Sequence, residues 1–162
     1  LAKGITNAAV PMGATVVTGK IYDTVENATA RGIEFFHGYT YSGHPLASAA
    51  GLATLQLYAD EQLLTRAATM APVWEQAVHS LRDMKHVIDV RNLGLVAGIE
   101  LATRDGVLGA RAYDAFVDAF FNEGVLIRTT GDIIALSPPL IISEEQVWEL
   151  VGKVKRAVER QM

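Results

Sequence analysis

Two spacings of apolar residues take turns along the second half of this chain. Leu64, Ala67, Ala71, Trp74, Val78 and Leu81 fall alternately three and four apart, which is the spacing of one helix face. Pro72 lies inside that run, and its missing N–H and bulky ring predict a kink or a restart. From Val87 the spacing shortens, and Leu95, Ala97, Ile99 and Leu101 recur every second residue, as on a strand with one packed face. Residues 103–109 form a polar turn. Tyr113, Phe116, Val117 and Phe120 then return to helical spacing and predict an apolar helix face, with Gly124 as its stop. Residues 125–128 and 133–136 read as two short strands around 129–132, and Pro138 with Pro139 ends the second. Ser143 followed by Gln146 three residues later is a capping box. It precedes a last helix with Val147, Leu150, Val151, Val154 and Val158 on its apolar face. Helix, strand, helix, hairpin and helix in that order predict a small α/β unit with a mainly antiparallel sheet.

The first half is organised differently. Residues 1–18 are dominated by apolar or small types, among them Ala8, Ala9, Val10, Met12, Val16 and Val17. Chain ends are commonly polar and frayed, so this opening is expected to need cover from both sides and to continue a longer protein. Residues 13–18 predict a short buried strand, followed at Gly19 by a turn into a helical piece over 22–28. Residues 32–43 are loop-like. Pro45 suits the first position of a helix, where its missing N–H costs nothing. Leu46, Ala49, Ala50, Ala53 and Leu57 mark one face of that helix, while Ala47, Leu52 and Leu55 fill much of the rest. It is therefore expected to be buried nearly all round.

Composition narrows the classes. The 162 residues are half hydrophobic and one-fifth charged, enough for one domain with a core. Fourteen Lys and Arg against eighteen Asp and Glu give a net charge of −4, with no basic stripe for a nucleic-acid partner. No apolar run reaches the length of a membrane span. There is no cysteine, which removes disulfides and thiolate chemistry and fits a cytoplasmic location. Phosphate-loop, dinucleotide-binding, nucleophile-elbow and zincin motifs are absent. His37, His44, His79 and His86 read as loop and surface residues, and no metal is expected.

Three residues could carry chemistry. Lys3 sits in an uncharged stretch that soon turns apolar; drying its amine would favour the neutral, nucleophilic form, although a lysine in such a place is commonly just solvated. Thr40 lies among tyrosine, serine and histidine ahead of a helix start, where donors can seat a phosphate or simply cap a loop. Arg128 ends an apolar stretch and either pairs with Asp132 or forks onto a ligand carboxylate; on spacing alone the internal pair is favoured.

Four segments together resemble class III aminotransferases, and within them the ω-amino acid:pyruvate (β-alanine:pyruvate) group. They are LAKGITNAAVPMG at 1–13, FFHGYTYSGHPLASAAG at 35–51, VRNLGLVAGIELATRDG at 90–106 and IRTTGDIIALSPP at 127–139. They occur in the family's order and span the chain. The resemblance implies the C-terminal part of a pyridoxal 5'-phosphate (PLP)-dependent fold type I transferase, similar to aspartate aminotransferase. Residues 1–43 would end the large PLP-binding domain, 44–66 form a connecting helix, and 67–162 the small domain.

By the same resemblance Lys3 matches the lysine that forms the Schiff base with PLP and moves protons as a general acid and base. Thr40 matches the threonine that reaches the cofactor phosphate across a dimer interface. Arg128 matches the arginine that binds the substrate carboxylate. Ala2, Gly4, Gly43 and Pro45 belong to the same signatures as scaffold. The implied activity is transfer of an amino group between an ω-amino acid or amine and a keto acid such as pyruvate. The family's phosphate loop, its aromatic residue over the ring and its aspartate to the pyridine nitrogen would lie ahead of Leu1. The chain is thus expected to be a piece that needs its N-terminal half and a second subunit, and to be inactive alone. The alternative is a non-catalytic C-terminal unit that serves only structure or dimerisation.

Overall fold

The computed structural model describes residues 1–28, 35 and 37–161. It divides into two compact units, Leu1–Gln62 and Leu63–Met162.

In the first unit, a 3-10 turn at Lys3–Ile5 is followed by extended chain, helix α1 (Gly19–Glu26) and helix α2 (Pro45–Asp60). Pro45 does open α2, and the His44 side chain caps it by accepting from the Ala47 N–H at 3.4 Å. The helical piece begins earlier than expected, at Gly19. Two expectations fail here. Residues 13–18 form no strand, and Val16 is 78% exposed. Nor is α2 buried all round: only Ala47, Gly51 and Thr54 are, while Leu46, Leu52, Leu55 and Leu57 are each more than half exposed. The physical reason is the same in both places. A strand needs a neighbour for its N–H and C=O groups, and an apolar helix needs packing on every side; the described residues of this unit supply neither. Residues 29–34 and 36, which include part of the expected loop over 32–43, lie outside the described residues.

The second unit holds the core. Helix α3 (Leu63–His79) leads to strands β1 (Val87–Leu93) and β2 (Val96–Leu101), helix α4 (Ala110–Phe121), strands β3 (Arg128–Thr130) and β4 (Ile133–Leu136), and helix α5 (Glu144–Glu159). The four strands form one antiparallel sheet in the order β1-β2-β4-β3. Ala97, Ile99 and Leu101 pair in register with residues of β1, and Ile99 also stands opposite Ile134 of β4. Because side chains alternate across a strand, Val90, Ala97, Ile99, Leu101, Ile134 and Leu136 share one face and are buried. Trp74, Val78 and Leu81 from α3 and Val147, Val151, Val154 and Val158 from α5 complete that core.

Several local expectations hold for local reasons. Ser143 Oγ accepts from the Gln146 N–H while Gln146 Oε1 accepts from the Ser143 N–H, so the capping box is formed. Gly124 takes φ +67, which its lack of a Cβ allows without a clash, and the next N–H, of Val125, donates to Ala119 O at 2.9 Å to close off α4.

Three others are corrected by packing. Pro72 neither stops nor restarts α3, which runs continuously through it; burial of Trp74, Ala77 and Val78 just beyond outweighs one lost backbone bond. The α4 face that enters the core is Ala112, Ala115 and Ala119, all fully buried, whereas Tyr113 is 60% and Phe120 45% exposed. Small side chains let α4 lie close to the sheet and α5; Tyr113 and Phe120 turn outward while Phe116 packs against the core's edge. Finally, β3 begins at Arg128, where the sequence predicted a strand ending there.

Candidate active site

Lys3 is exposed and lies in the 3-10 turn with φ +57. A left-handed backbone costs a residue with a side chain about 1 kcal/mol, so something must hold it. Several contacts do. Tyr58 Oη, on α2, donates to the carbonyl of Gly4 at 2.9 Å. Thr6, only 3% exposed, donates its hydroxyl to Val10 O at 2.6 Å. Gly51 has no side chain where the Met12 sulfur would stand 3.3 Å from an added Cβ and the Ile5 carbonyl 3.7 Å. The dry setting expected for the amine is not supplied by the described residues. The backbone constraint is.

Thr40 is exposed, in a turn that runs directly into α2. That turn is pinned by a reciprocal pair: Tyr39 N–H to Ser42 Oγ and Ser42 N–H to Tyr39 O, both 2.9 Å. His44 N–H donates to Tyr41 O at 3.1 Å. Among the described residues the Thr40 hydroxyl has no hydrogen-bond partner, so it is available to an acceptor such as a phosphate oxygen. Thr40 adjoins the start of α2, whereas the lysine turn is braced at Gly51 and Tyr58. At 1.5 Å of rise per residue, roughly 20 Å of helix separate Pro45 from Tyr58.

Arg128 lies in the second unit. It opens β3 opposite Ala135, is exposed, and lines a cavity of about 620 Å³ walled mainly by Phe116, Leu126, Leu136, Pro138 and Leu150. The internal pair with Asp132 does not form. Asp132, 8% exposed, instead accepts from the Thr103 hydroxyl at 2.6 Å and the Gly109 N–H at 2.7 Å. Its carboxylate ties the loop after β2 to the β3–β4 turn, leaving Arg128 without an ion-pair partner among the described residues. A second brace shapes the cavity wall: the Arg66 guanidinium donates to the carbonyls of Leu140, Ile141 and Ile142 at 3.3, 2.9 and 2.9 Å.

Lys3 and Thr40 thus belong to the first unit and Arg128 to the second. Sequence reasoning missed Tyr58 and the true partners of Asp132. Tyr58 and Gly4 are 54 positions apart, and no spacing rule links them. Only its place on the stripe Ala47, Gly51, Thr54 and Tyr58 could have drawn attention to it. Among the described residues, no group of three or more metal-ligating side chains comes together, and no helix is long and apolar enough to cross a membrane.

A small antiparallel sheet under helices, preceded by a strained lysine turn on a long apolar helix, defines a transaminase-like piece. The chain belongs to the class-III aminotransferase family, whose model matches residues 1–158. It is 56% identical over 158 residues to an omega-aminotransferase of Caulobacter vibrioides, and 40% identical over 160 residues to a beta-alanine--pyruvate aminotransferase of Pseudomonas aeruginosa. Each match covers 98% of this chain, and the chain spans only 36% of the length of either relative. Among solved structures, a transaminase from the marine bacterium Virgibacillus superposes with a TM-score of 0.88 at 30% identity, over 99% of this chain and 38% of that one.

Enzymes of this class use PLP, and the residues present fit it. Among the described residues an unpaired amine at Lys3 suits the cofactor's aldehyde, and a free hydroxyl at Thr40 suits its phosphate.

Proposed function

We propose that this chain is the C-terminal part of a PLP-dependent transaminase that moves an amino group from an ω-amino acid or amine to a keto acid such as pyruvate. The donor leaves as a carbonyl compound and the acceptor as an amino acid. The observation that carries the reading is Lys3: strained backbone persists where surrounding contacts over-determine it, and such places cluster at functional sites. The cofactor, when bound, supplies the electron sink that makes loss of the substrate's carbon-bound proton feasible.

In this reading Lys3 would hold the cofactor through its aldehyde and, as general base and acid, would move the substrate's carbon-bound proton. Arg128 orients the substrate carboxylate through two parallel hydrogen bonds; its freedom from Asp132 supports that role. Thr40 binds the cofactor phosphate in the site of a second subunit. We assign residues 1–43 to the large domain, 44–66 to the connecting helix and 67–162 to the small domain. The remaining length of the relatives fits an N-terminal half that brings the ring contacts, so the chain alone is expected to be inactive. A cytoplasmic setting matches the cysteine-free composition.

The likeness to the beta-alanine--pyruvate aminotransferase of P. aeruginosa supports pyruvate as acceptor. The test is Lys3→Ala in the full-length protein. Loss of the visible cofactor absorbance and of borohydride-stable labelling is expected; retention of both at an unchanged site rejects the assignment. A panel of amine donors with pyruvate and 2-oxoglutarate then ranks the acceptors, and activity with 2-oxoglutarate alone would overturn the pyruvate preference. The exposed leucines of α2 favour one second reading, a purely structural dimerisation unit, which predicts that Lys3→Ala changes nothing but is contradicted by any cofactor loss.

A further inference from the structure

We infer that Tyr58 is a positioning residue for Lys3, acting through the Gly4 carbonyl; the inference rests on the transaminase reading of Lys3. Lys3 takes a left-handed φ of +57, and the Gly4 carbonyl lies one peptide further along the same turn. The Tyr58 hydroxyl donates to that oxygen at 2.9 Å. Tyr58 stands on α2, a 16-residue helix, so the anchor is tied to a rigid element, not to another loop. The approach is tight. A Cβ on Gly4 would stand 3.0 Å from the Tyr58 oxygen, and one on Gly51, two turns earlier on the same stripe, 3.3 Å from the Met12 sulfur. Glycine at both positions lets the lysine turn lie down on the helix, and the tyrosine hydroxyl then fixes its rotation.

Remove that hydroxyl and the 3-10 turn loses its only side-chain anchor to α2 among the described residues. The Lys3 backbone can then relax toward the ordinary negative-φ regions, which swings the Cα–Cβ bond and displaces the amine. A small displacement of a reacting group costs rate far more than binding. Because Arg128 is untouched, substrate affinity should persist.

The test is Tyr58→Phe in the cofactor-loaded, full-length protein. Expected are a kcat about tenfold lower, an unchanged KM for the keto acid, a thermal midpoint close to that of the parent, and a weakened circular-dichroism band of the bound cofactor in the visible. That band reports how the cofactor is held, and a merely structural tyrosine would leave it alone. Parent-like kcat and visible dichroism in a folded Tyr58→Phe protein overturn the inference. If Tyr58→Phe does not fold, Gly51→Ala decides on the same two readouts, since its methyl group would press Met12 and the turn away from α2. Lys3→Ala run alongside separates the layers. Cofactor absorbance surviving in Lys3→Ala sinks the transaminase reading itself, whereas absorbance lost there with Tyr58→Phe unchanged sinks only the positioning role.

Discussion

Arg128 and Asp132 show how four residues of separation can mislead. A cation and an anion in one tight turn invite pairing, yet the carboxylate is taken by a hydroxyl and a backbone N–H from the loop after β2. Asp132 is itself only 8% exposed, and a buried group left without its hydrogen-bond partners costs about 1–3 kcal/mol, more when it is charged. The guanidinium, exposed at the edge of the sheet, loses little by staying free. This division of labour gives a sharp expectation. Arg128→Lys keeps the charge but loses the planar fork, so KM for carboxylate-bearing acceptors should rise about tenfold. Amine donors that lack a carboxylate should be affected far less. Steady-state kinetics with both donor types checks it; an equal effect on both would remove Arg128 from the carboxylate site.

Helices α4 and α5 are joined twice, once by apolar packing and once by charge. Glu123 sits just beyond the C-terminus of α4 and accepts from Arg156 at 2.6–3.0 Å and, more closely, from Arg160. Asp118 receives the Arg160 Nε at 2.8 Å. Hydrogen bonds from Arg156 and then Arg160 hold the Glu123 carboxyl down to about 2, well below its ordinary 4.5. A lowered native value means that the unfolded chain binds more protons as the pH drops. The stabilisation is therefore fully present above about 4.5 and is lost as the pH falls toward 2. Thermal midpoints measured across that window should fall, and Glu123→Gln should flatten the fall. An identical acid slope in the variant would show that the pair carries nothing. The same elements explain why the aromatic stripe on α4 was a poor guide: two stripes on one helix had apolar character, and close approach to α5 favoured the alanines.

Across the whole chain, apolar surface is distributed unevenly. The second unit buries its large residues around Trp74 and Ile99, while the first leaves Leu46, Leu52, Leu55 and Leu57 open along α2. Large apolar side chains left open in this way are what the proposed homodimer would bury. Leu52→Glu together with Leu55→Glu is expected to shift the cofactor-loaded protein to a smaller species in sedimentation velocity. Unchanged sedimentation would place the interface elsewhere.

Period, caps and turn residues were enough to place α3, β2, α5, the capping box at Ser143 and the antiparallel character of the sheet, because each depends on neighbours within a few positions. The candidate residues Lys3, Thr40 and Arg128 came from short segments in a fixed order. What only the tertiary structure decided were pairings between distant positions: the outward turn of Tyr113 and Phe120, the passage of α3 through Pro72, the partners of Asp132 and the Tyr58 anchor. Local rules rank conformations of a short segment, but burial and hydrogen-bond satisfaction are settled by whichever groups the folded chain brings within a few ångströms. That choice is made by the core as a whole, and no single stretch of sequence contains it.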